Sequence, residues 1–329
     1  MNTSGYKFLG AAFMAAAVIV FAGPAAAQSK PWRHAIIAAK SDAGLFFMPV
    51  KGGFAQKLGL NVELMQIKTD SVGLKALIAG ELESFEGGAQ GAMAAAARGA
   101  DVKVLGCHWV VVPHGVFVRA NINSLKDLKG KTVAVSTPGS FPEIVAKAAF
   151  EKAGVSYDDV KFAAMGGDGD RYKALAAGVV DGAVVSDEYV PIMQKDGIKQ
   201  LVPGREAVPN FVRVCIYSTS KVLSERGADA VKFLTAEMQG LKYALANRDA
   251  TIKLTFEMTG AKPDDPRPAF VFDEAVRTKS IAPDLPIPLD KLNAMQQVMV
   301  KSGSISAPAD LSKFADGSIR AKALAAAGM

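Results

Sequence analysis

The sequence has few of the residues and motifs on which most catalytic sites depend. Its 329 residues include only two cysteines and three histidines. They include no GxSxG, HExxH or P-loop motif, and no GxGxxG that opens a helix. The common signatures of a serine hydrolase, a zinc peptidase and a nucleotide-binding enzyme are therefore absent. This absence favours a function without bond chemistry and predicts no cofactor.

The two cysteines, Cys107 and Cys215, leave two possibilities open. Export would permit a disulfide, but the sequence does not say whether the two residues meet in space. Two buried free thiols are the favoured interpretation. For the histidines at positions 34, 108 and 114, a structural role is favoured over metal binding or catalysis, because none has the spacing of a ligand pair.

Neither positive nor negative charge is concentrated in any one segment of the sequence. The formal net charge is +6, but lysines and arginines are scattered among acids, without an aromatic-interleaved basic stripe. Nucleic acid is therefore not a predicted partner. The GGDGD segment at 166–170 lacks the rest of an EF-hand loop, so no metal is predicted. Its acids, like Asp187 and Glu188, could do acid–base work, but such residues are more often solvated turn residues.

Only the amino terminus has a long apolar run without charges. Lys7 precedes the run at 8–22, and Gly23, Pro24 and three alanines follow it. These are the three regions of a secretory signal peptide. A membrane anchor is the alternative, but the run is shorter than the roughly 20 residues that a span needs. We expect residues 1–27 to be removed and the mature chain to be soluble in the periplasm.

In the mature chain, short apolar runs alternate with helical segments from residue 34 to residue 202. This alternation is typical of parallel α/β sheets. It restarts after residue 121, and long helices dominate the carboxyl-terminal part. The sequence therefore predicts lobe I from 28–120 and 211–329, and lobe II from 121–210. A chain that crosses twice between two lobes suits hinge closure around a ligand.

Five predicted turns follow the carboxyl ends of strands, where open α/β sheets bind ligands. They share small residues, hydroxyls and free N–H groups at a helix start, which favour an anionic or polar ligand. The ligand charge stays open, because a cationic group could be selected by the acids at 42, 86, 168, 170, 187 and 188. Ordinary helix caps are the alternative for any single turn. Arg171 follows one turn and is a candidate charged anchor. The turns are at 41–44, 87–90, 136–140, 166–170 and 186–188.

Three segments resemble ABC-transporter periplasmic substrate-binding proteins of the sulfonate, taurine, nitrate and thiamine-precursor branch. They are GLKALIAGELESFEGGAQGAMAAAARGADVKVLG (73–106), INSLKDLKGKTVAVSTPGS (122–140) and ALAAGVVDGAVVSDEYVP (174–191). The resemblance implies a two-lobed type II periplasmic binding fold in which the five turns line the interlobe cleft. Relatives often carry a Trp-Glu-Pro-Tyr-like element where this chain has residues 186–191. The missing tryptophan weakens a sulfonate or taurine assignment.

The leading hypothesis is a monomeric, non-enzymatic receptor that delivers a small polar organic or anionic solute to an ABC permease in the inner membrane. Two alternatives are an exported enzyme of the pyrimidine or thiamine-precursor type and a periplasmic sensor for a membrane kinase. The predicted ligand-binding residues come from both lobes. They are Ser41, Asp42, Gly88, Gln90, Ser136, Thr137, Gly139, Ser140, Asp168, Arg171 and Glu188.

Overall fold

A computed structural model describes residues 1–2 and 30–329 of the chain. Apart from its first two residues, the predicted signal peptide lies outside the described residues. Among the helices that the structure describes, none is long and apolar enough to cross a membrane.

Short apolar runs form ten strands within residues 30–329. They are β1 (Trp32–Ile37), β2 (Val62–Ile67), β3 (Ser84–Gly88), β4 (Lys103–Trp109), β5 (His114–Arg119), β6 (Thr132–Val135), β7 (Lys161–Ala164), β8 (Gly182–Ser186), β9 (Ile198–Pro203) and β10 (Val214–Ser218).

Fourteen α-helices connect and cover these strands in the same described part of the chain. They are α1 (Ala43–Lys51), α2 (Phe54–Lys57), α3 (Asp70–Ile78), α4 (Ala89–Ala97), α5 (Phe141–Lys152), α6 (Asp168–Ala176), α7 (Val190–Met193), α8 (Gly204–Ala207), α9 (Ser220–Ala246), α10 (Arg248–Thr259), α11 (Arg267–Thr278), α12 (Leu289–Lys301), α13 (Leu311–Phe314) and α14 (Gly317–Ala327). Short 3₁₀ turns add Leu125–Leu128, Tyr157–Asp159, Asp187–Tyr189 and Gln194–Asp196.

The strands form two five-stranded sheets, which confirms the expected two-lobed α/β fold. The first sheet has the order β2-β1-β3-β10-β4, and the second has the order β7-β6-β8-β5-β9. The pairs β1–β2, β1–β3, β6–β7 and β6–β8 are parallel. Residues at the ends of β1, β3 and β4 line the same cavity as residues that follow β7 and β8. The two sheets therefore direct these ends toward one cleft.

Each sheet also contains one antiparallel strand, so the sheets are mixed rather than purely parallel. Strand β10 runs antiparallel to β3 and β4, and β5 runs antiparallel to β8 and β9. Both strands directly follow a crossing between the sheets, at 110–113 for β5 and at 204–213 for β10. Because β5 pairs in the second sheet, we propose that the first lobe boundary lies at 110–113 rather than at 120. The second proposed boundary stays near 211.

Cys107 and Cys215 form a disulfide, so the favoured interpretation of two free thiols was wrong. The two residues lie opposite each other on β4 and β10, and both side chains are completely buried. They are 108 residues apart in sequence. Tertiary pairing of the two strands brings them together, and no local pattern could have indicated it. The bond joins the strands beside both crossings.

Helix boundaries differ from expectation mainly near glycine and proline. The segment 166–170 was expected to be a loop, but Asp168 begins α6. Helices α1 and α2 are separated at Gly53, which adopts a left-handed φ of 79°. Helix α9 begins at Ser220, where the Thr219 side chain accepts a hydrogen bond from the Val222 N–H. The sequence placed that helix start at residue 228.

Helix α9 packs on the first sheet and positions α1 beside it. The ring of Trp32 on β1 stacks on Phe233 of α9 at 5.5 Å. Gly240 of α9 lies directly against Pro49 of α1, because a β-carbon there would come within 2.5 Å of the Pro49 backbone. This close helix contact fixes the direction from which α1 approaches the cleft.

Candidate functional site

The main candidate site is a cleft between the two sheets that encloses about 630 Å³, part of it open to solvent. Residues that line it come from the ends of strands in both sheets and from the two crossings between them. The polar and aromatic side chains among them are Lys40, Asp42, Phe46, Asp70, Glu86, Trp109, His114, Asp168, Ser186, Glu188 and Arg213.

Asp42 reaches the cleft because α1 packs tightly against α10. A β-carbon on Gly44 would come within 1.8 Å of the Thr251 carbonyl oxygen, so only glycine permits this approach. The Gly44 N–H donates to the Thr255 hydroxyl oxygen at 2.8 Å. Burial raises the pKa of Asp42 to about 6. The neighbouring charge of Glu188 acts in the same direction, and the charges of Lys40 and Arg213 oppose it. Asp42 and Glu188 come from opposite sides of the cleft.

Asp168 is held in place from behind by Arg171. The Arg171 guanidinium is buried, with 2% of the residue exposed. Its Nε–H donates to the Val184 carbonyl oxygen at 2.7 Å, and its terminal nitrogens donate to the Gly166 carbonyl and to Asp168. Arg171 therefore uses its donors within the protein and positions Asp168. It does not face the cleft as the expected ligand anchor.

The charge of Asp168 is stabilised from both lobes. Burial acts to raise the pKa of Asp168, but the charges of His114, Arg171 and Lys40 outweigh it, and the pKa lies at about 2. Burial lowers the pKa of His114 to about 3 despite the attraction of Asp168. At neutral pH, where His114 is uncharged, Arg171 and Lys40 supply the positive charge. Lys40 reaches Asp168 across the cleft, with 3.7 Å between Nζ and Oδ2.

A buried polar cluster supports the cleft on the side of the first sheet. Glu86 lies between His34 and His108, with nitrogen–oxygen distances of 3.7 and 3.2 Å. Burial alone would raise the pKa of Glu86, but His108 and His34 hold it at about 2. Burial and the Glu86 charge together raise the pKa of Glu237 well above its usual range.

Ser84, His34 and Glu86 resemble a catalytic triad by residue type, but their placement does not suit catalysis. The Ser84 hydroxyl lies 2.8 Å from the His34 Nδ1 and accepts a hydrogen bond from the Trp32 indole at 2.7 Å. Ser84 is fully buried, whereas Glu86 is the member that lines the cleft. A nucleophile must reach its substrate, so this cluster is structural, as expected for the histidines at 34 and 108.

Aromatic rings form one wall of the cleft. The ring of Phe46 lies 5.0 Å from that of Trp109 and 4.7 Å from that of His108. Trp109 is 93% buried, and its Nε1–H has no acceptor among the residues that the structure describes. A buried indole N–H normally has a partner, so Trp109 offers an unused donor in the cavity that it lines.

Three backbone N–H groups in the predicted turns have a carboxylate acceptor, whereas the sequence-based expectation was that such groups are free. Asp70 accepts from the Gly88 N–H at 3.2 Å, and Asp168 accepts from the Ser186 N–H at 3.1 Å. Glu143 accepts from the Gly139 N–H. Carboxylates of the protein itself thus occupy three positions at which the sequence predicted an anionic or polar ligand.

The predicted site residues lie at different depths. Asp42, Asp168 and Glu188 line the main cleft. Ser41 lines an adjoining depression together with Asp168 and Glu188. Gly88 lies next to the Asp70 carboxylate, with the Gln90 side chain beside it.

The turn at 136–140 lies at the surface. Thr137 and Gly139 are exposed, and the Ser140 hydroxyl accepts from the Thr137 N–H at 3.3 Å. The Gly166 N–H donates to the Ser136 carbonyl at 3.1 Å, so the turn adjoins the segment that carries Asp168. We propose that Ser136, Thr137, Gly139 and Ser140 form the rim of the cleft.

Sequence reasoning missed Lys40, Asp70 and His114 as cleft residues. His114 was assigned a structural role, but it is the first residue of β5 and enters the cleft directly from a crossing. Its position after the apolar run at 110–112 was a usable signal, because a strand that starts at a crossing begins at the cleft. Trp109 and Arg213 also line the cleft.

A second interlobe cavity of about 490 Å³ lies beside the first, next to α11. Asp187 lines it together with Arg205 and Glu274. Burial raises the pKa of Asp187 to about 7, although Arg205 and the hydrogen bond from Gln200 act in the opposite direction.

These raised pKa values predict that the ligand-free protein loses stability as pH rises. Folded Asp187 keeps its proton up to about pH 7, whereas the unfolded chain releases it near pH 4. Protonated Asp187 therefore contributes on the order of 2–4 kcal/mol to the free energy of unfolding. This contribution is complete below about pH 4 and is lost as pH rises through about 7. Urea unfolding between pH 5 and pH 8 measures it. The plot of the free energy of unfolding against pH should be flatter for Asp187→Asn than for wild type, and Asp42→Asn should flatten it around pH 6. Unchanged slopes in both variants would contradict the raised pKa values.

No group of three or more potential metal-ligating side chains occurs among the described residues. The cleft carboxylates come from separate elements. Glu86 and Asp168 face histidine, arginine or lysine, and Asp70 accepts a backbone N–H.

Several solved structures resemble this protein over most of its length. The chain resembles the periplasmic sulfonate-binding protein SsuA of Methylobacillus flagellatus (18% identity, TM-score 0.73, covering 91% of this chain and 95% of that one). It also resembles the periplasmic aliphatic sulphonate-binding protein SsuA of Escherichia coli, with 17% identity and a TM-score of 0.69 over 86% of this chain and 92% of that one. A third similar structure is the desulfurization enzyme DszB, with 15% identity and a TM-score of 0.68 over 89% of this chain and 99% of that one. A comparison with the curated proteins finds no match to the sequence.

The structural likenesses establish the periplasmic binding protein fold, which the resemblance in the sequence implied. The family described as NMT1/THI5 like matches residues 41–251. This range contains the turns after β1, β3, β6, β7 and β8. Because the match spans well over half of the 329 residues, the chain belongs to the NMT1/THI5-like family.

Proposed function

We propose that the protein is the soluble periplasmic solute-binding component of an ABC importer. The observation that carries this proposal is the cleft, which residues from both sheets and both crossings line together. A solute in it would contact Asp42 on one side and Glu188 on the other, so binding favours the closed arrangement. The closed protein would present its solute to a permease in the inner membrane. We propose that it acts as a monomer.

Binding rather than catalysis suits the chemistry of the cleft. Both cysteines of the chain are in the disulfide, so no thiol nucleophile is available. The Ser84 hydroxyl is buried away from the cavity. The enzyme DszB shares the fold, so an exported enzyme remains the alternative, and turnover by the purified protein with solutes that bind would support it. A sensor for a membrane kinase would bind solute in the same way, but would not support uptake.

Protein purified without denaturation is expected to retain or bind a small molecule and to close around it. Native mass spectrometry detects a retained solute, and small-angle X-ray scattering measures the closure. Trp109 provides an optical signal, because the other tryptophan, Trp32, is buried against Phe233. Absence of both a co-purified solute and any hit in a broad thermal-shift screen would contradict the proposal.

The rim residues are tested with the same assay. If the hydroxyls of Ser136 and Ser140 contact the solute, Ser136→Ala combined with Ser140→Ala should weaken binding by about 1–3 kcal/mol. Unchanged affinity would remove the turn at 136–140 from the binding site and leave the cleft assignment intact.

A further inference from the structure

The charges of the cleft do not balance. Arg171 and Lys40 face Asp168, and two histidines face Glu86. Asp42, Asp70 and Glu188 also line the cavity. None of these three has a cationic group within salt-bridge distance among the described residues.

Arg213 also lines the cleft, and it has no carboxylate within salt-bridge distance among the described residues. Its guanidinium stands over the Phe141 ring, 5.3 Å from the ring centre, and makes no side-chain hydrogen bond within the described part of the chain. One arginine against three carboxylates leaves an excess of negative charge in a partly desolvated cavity. Such an excess attracts a positively charged ligand.

Five backbone N–H groups in or near the predicted turns have internal acceptors and are not available to an anion. Carboxylates of Asp70, Asp168 and Glu143 accept the backbone N–H groups of Gly88, Ser186 and Gly139. Hydroxyls take two further N–H groups, at Gly44 and Thr137. A sulfonate or carboxylate would have to displace these internal acceptors and lie beside unpaired acids.

Two unpartnered polar atoms point to the kind of ligand that completes the site. Oε2 of Glu86 and Nε1 of Trp109 have no hydrogen-bond partner among the described residues, and both side chains are more than nine-tenths buried. Both side chains line the cavity. An N–H donor on the ligand would satisfy Glu86, and an acceptor atom would satisfy Trp109. The rings of Trp109 and Phe46 offer a face for a flat cation.

From these observations we propose that the cleft binds a small organic cation between Asp42 and Glu188, an inference that rests on the proposed solute-binding function. The two carboxylates come from opposite lobes, so closure without a ligand brings like charges together. A cation between them converts that repulsion into attraction. The positive charge of the ligand is therefore the property that the cleft recognises, and it also favours closure of the two lobes. The aromatic wall and the lack of a three-ligand metal group among the described residues favour an organic cation over a metal ion.

The proposal is tested with probes of matched shape and opposite charge. Benzamidine is compared with benzoate, and butylammonium with butanesulfonate, by Trp109 fluorescence and calorimetry at pH 7.5. Wild-type protein should bind the cation of each pair more tightly by about tenfold or more. Asp42→Asn and Glu188→Gln should each weaken benzamidine binding by about ten- to a hundredfold, because each removes a charge-assisted contact. Asp249→Asn changes the same charge at a fully exposed side chain and should leave binding unchanged.

Each result of these binding experiments either supports or overturns the organic-cation proposal. Equal or tighter binding of the anionic probes, or unaltered benzamidine binding in both cleft variants, overturns the proposal while solute binding itself stands. Binding of divalent metal alone also overturns it. If the probes fail but a molecule co-purifies, that molecule must carry a positive charge at pH 7.5. If nothing binds and nothing co-purifies, the proposed function fails as well.

Discussion

Replacing Arg171 with alanine is expected to lower the free energy of unfolding by about 3–5 kcal/mol. The substitution leaves the Asp168 carboxylate without its buried partner and leaves the Val184 and Gly166 carbonyl groups without a donor. Asp168 has a pKa of about 2 in the folded protein, so it stabilises the fold above pH 4 and loses this effect as pH falls through about 2. Urea unfolding of the wild type and the variant at pH 7 measures the loss, and the same comparison at pH 4 and pH 2 measures its pH dependence.

Two further variants separate the ion pair from simple loss of packing. Asp168→Asn in the Arg171→Ala background should restore part of the stability, because it removes the uncompensated charge. Arg171→Lys keeps the charge but cannot bridge three acceptors, so its stability should lie between wild type and the alanine variant. Additive effects of the Arg171 and Asp168 substitutions would show that the pair is not coupled.

Replacing both Cys107 and Cys215 with alanine is expected to lower the free energy of unfolding by about 2–5 kcal/mol. The disulfide closes a loop with a sequence separation of 108 residues, which contains the second sheet and both crossings. Removing it gives the unfolded chain more conformational freedom, with a cost of about 4–5 kcal/mol in the chain-entropy account. Alanine is chosen because both sites are completely buried and a serine hydroxyl would lack a partner.

Reduced wild-type protein is the matched control for the disulfide. Unfolding it in the presence of a reductant should reproduce most of the loss seen in the double variant. A thiol assay of the denatured, unreduced protein should detect no free cysteine. Equal stability of oxidised and reduced protein would contradict the expected effect.

The strand pattern could be predicted because it depends on local sequence. Strands β4, β5 and β8 are almost entirely buried and coincide with short apolar runs, since burial on both faces requires such a run. Helix ends were less predictable. The start of α9 depends on a Thr219 cap, and α6 begins within a glycine-rich segment that resembled a loop.

The site was predicted in position but not in its electrostatics. The rule that ligands lie beyond strand ends predicted Asp42, Asp168 and Glu188 as site residues. All three line one cleft, and their contact with a ligand stays a prediction. It could not reveal that Arg171 is buried behind Asp168. Nor could it show that Asp70 accepts from the Gly88 N–H, because that contact joins residues 18 positions apart.

The sequence by itself determined the α/β class, the two lobes and the five turns, because hydrophobic periodicity and glycine placement are local properties. The tertiary structure alone decided the disulfide, the antiparallel strands after each crossing and the charge of the cleft. These features depend on contacts between residues that are far apart in the sequence. The geometry of those contacts determines which cysteines and strands pair and what pKa each cleft carboxyl has. The turn at 136–140 illustrates the difference, since its hydroxyls were visible in the sequence and its position at the surface was not.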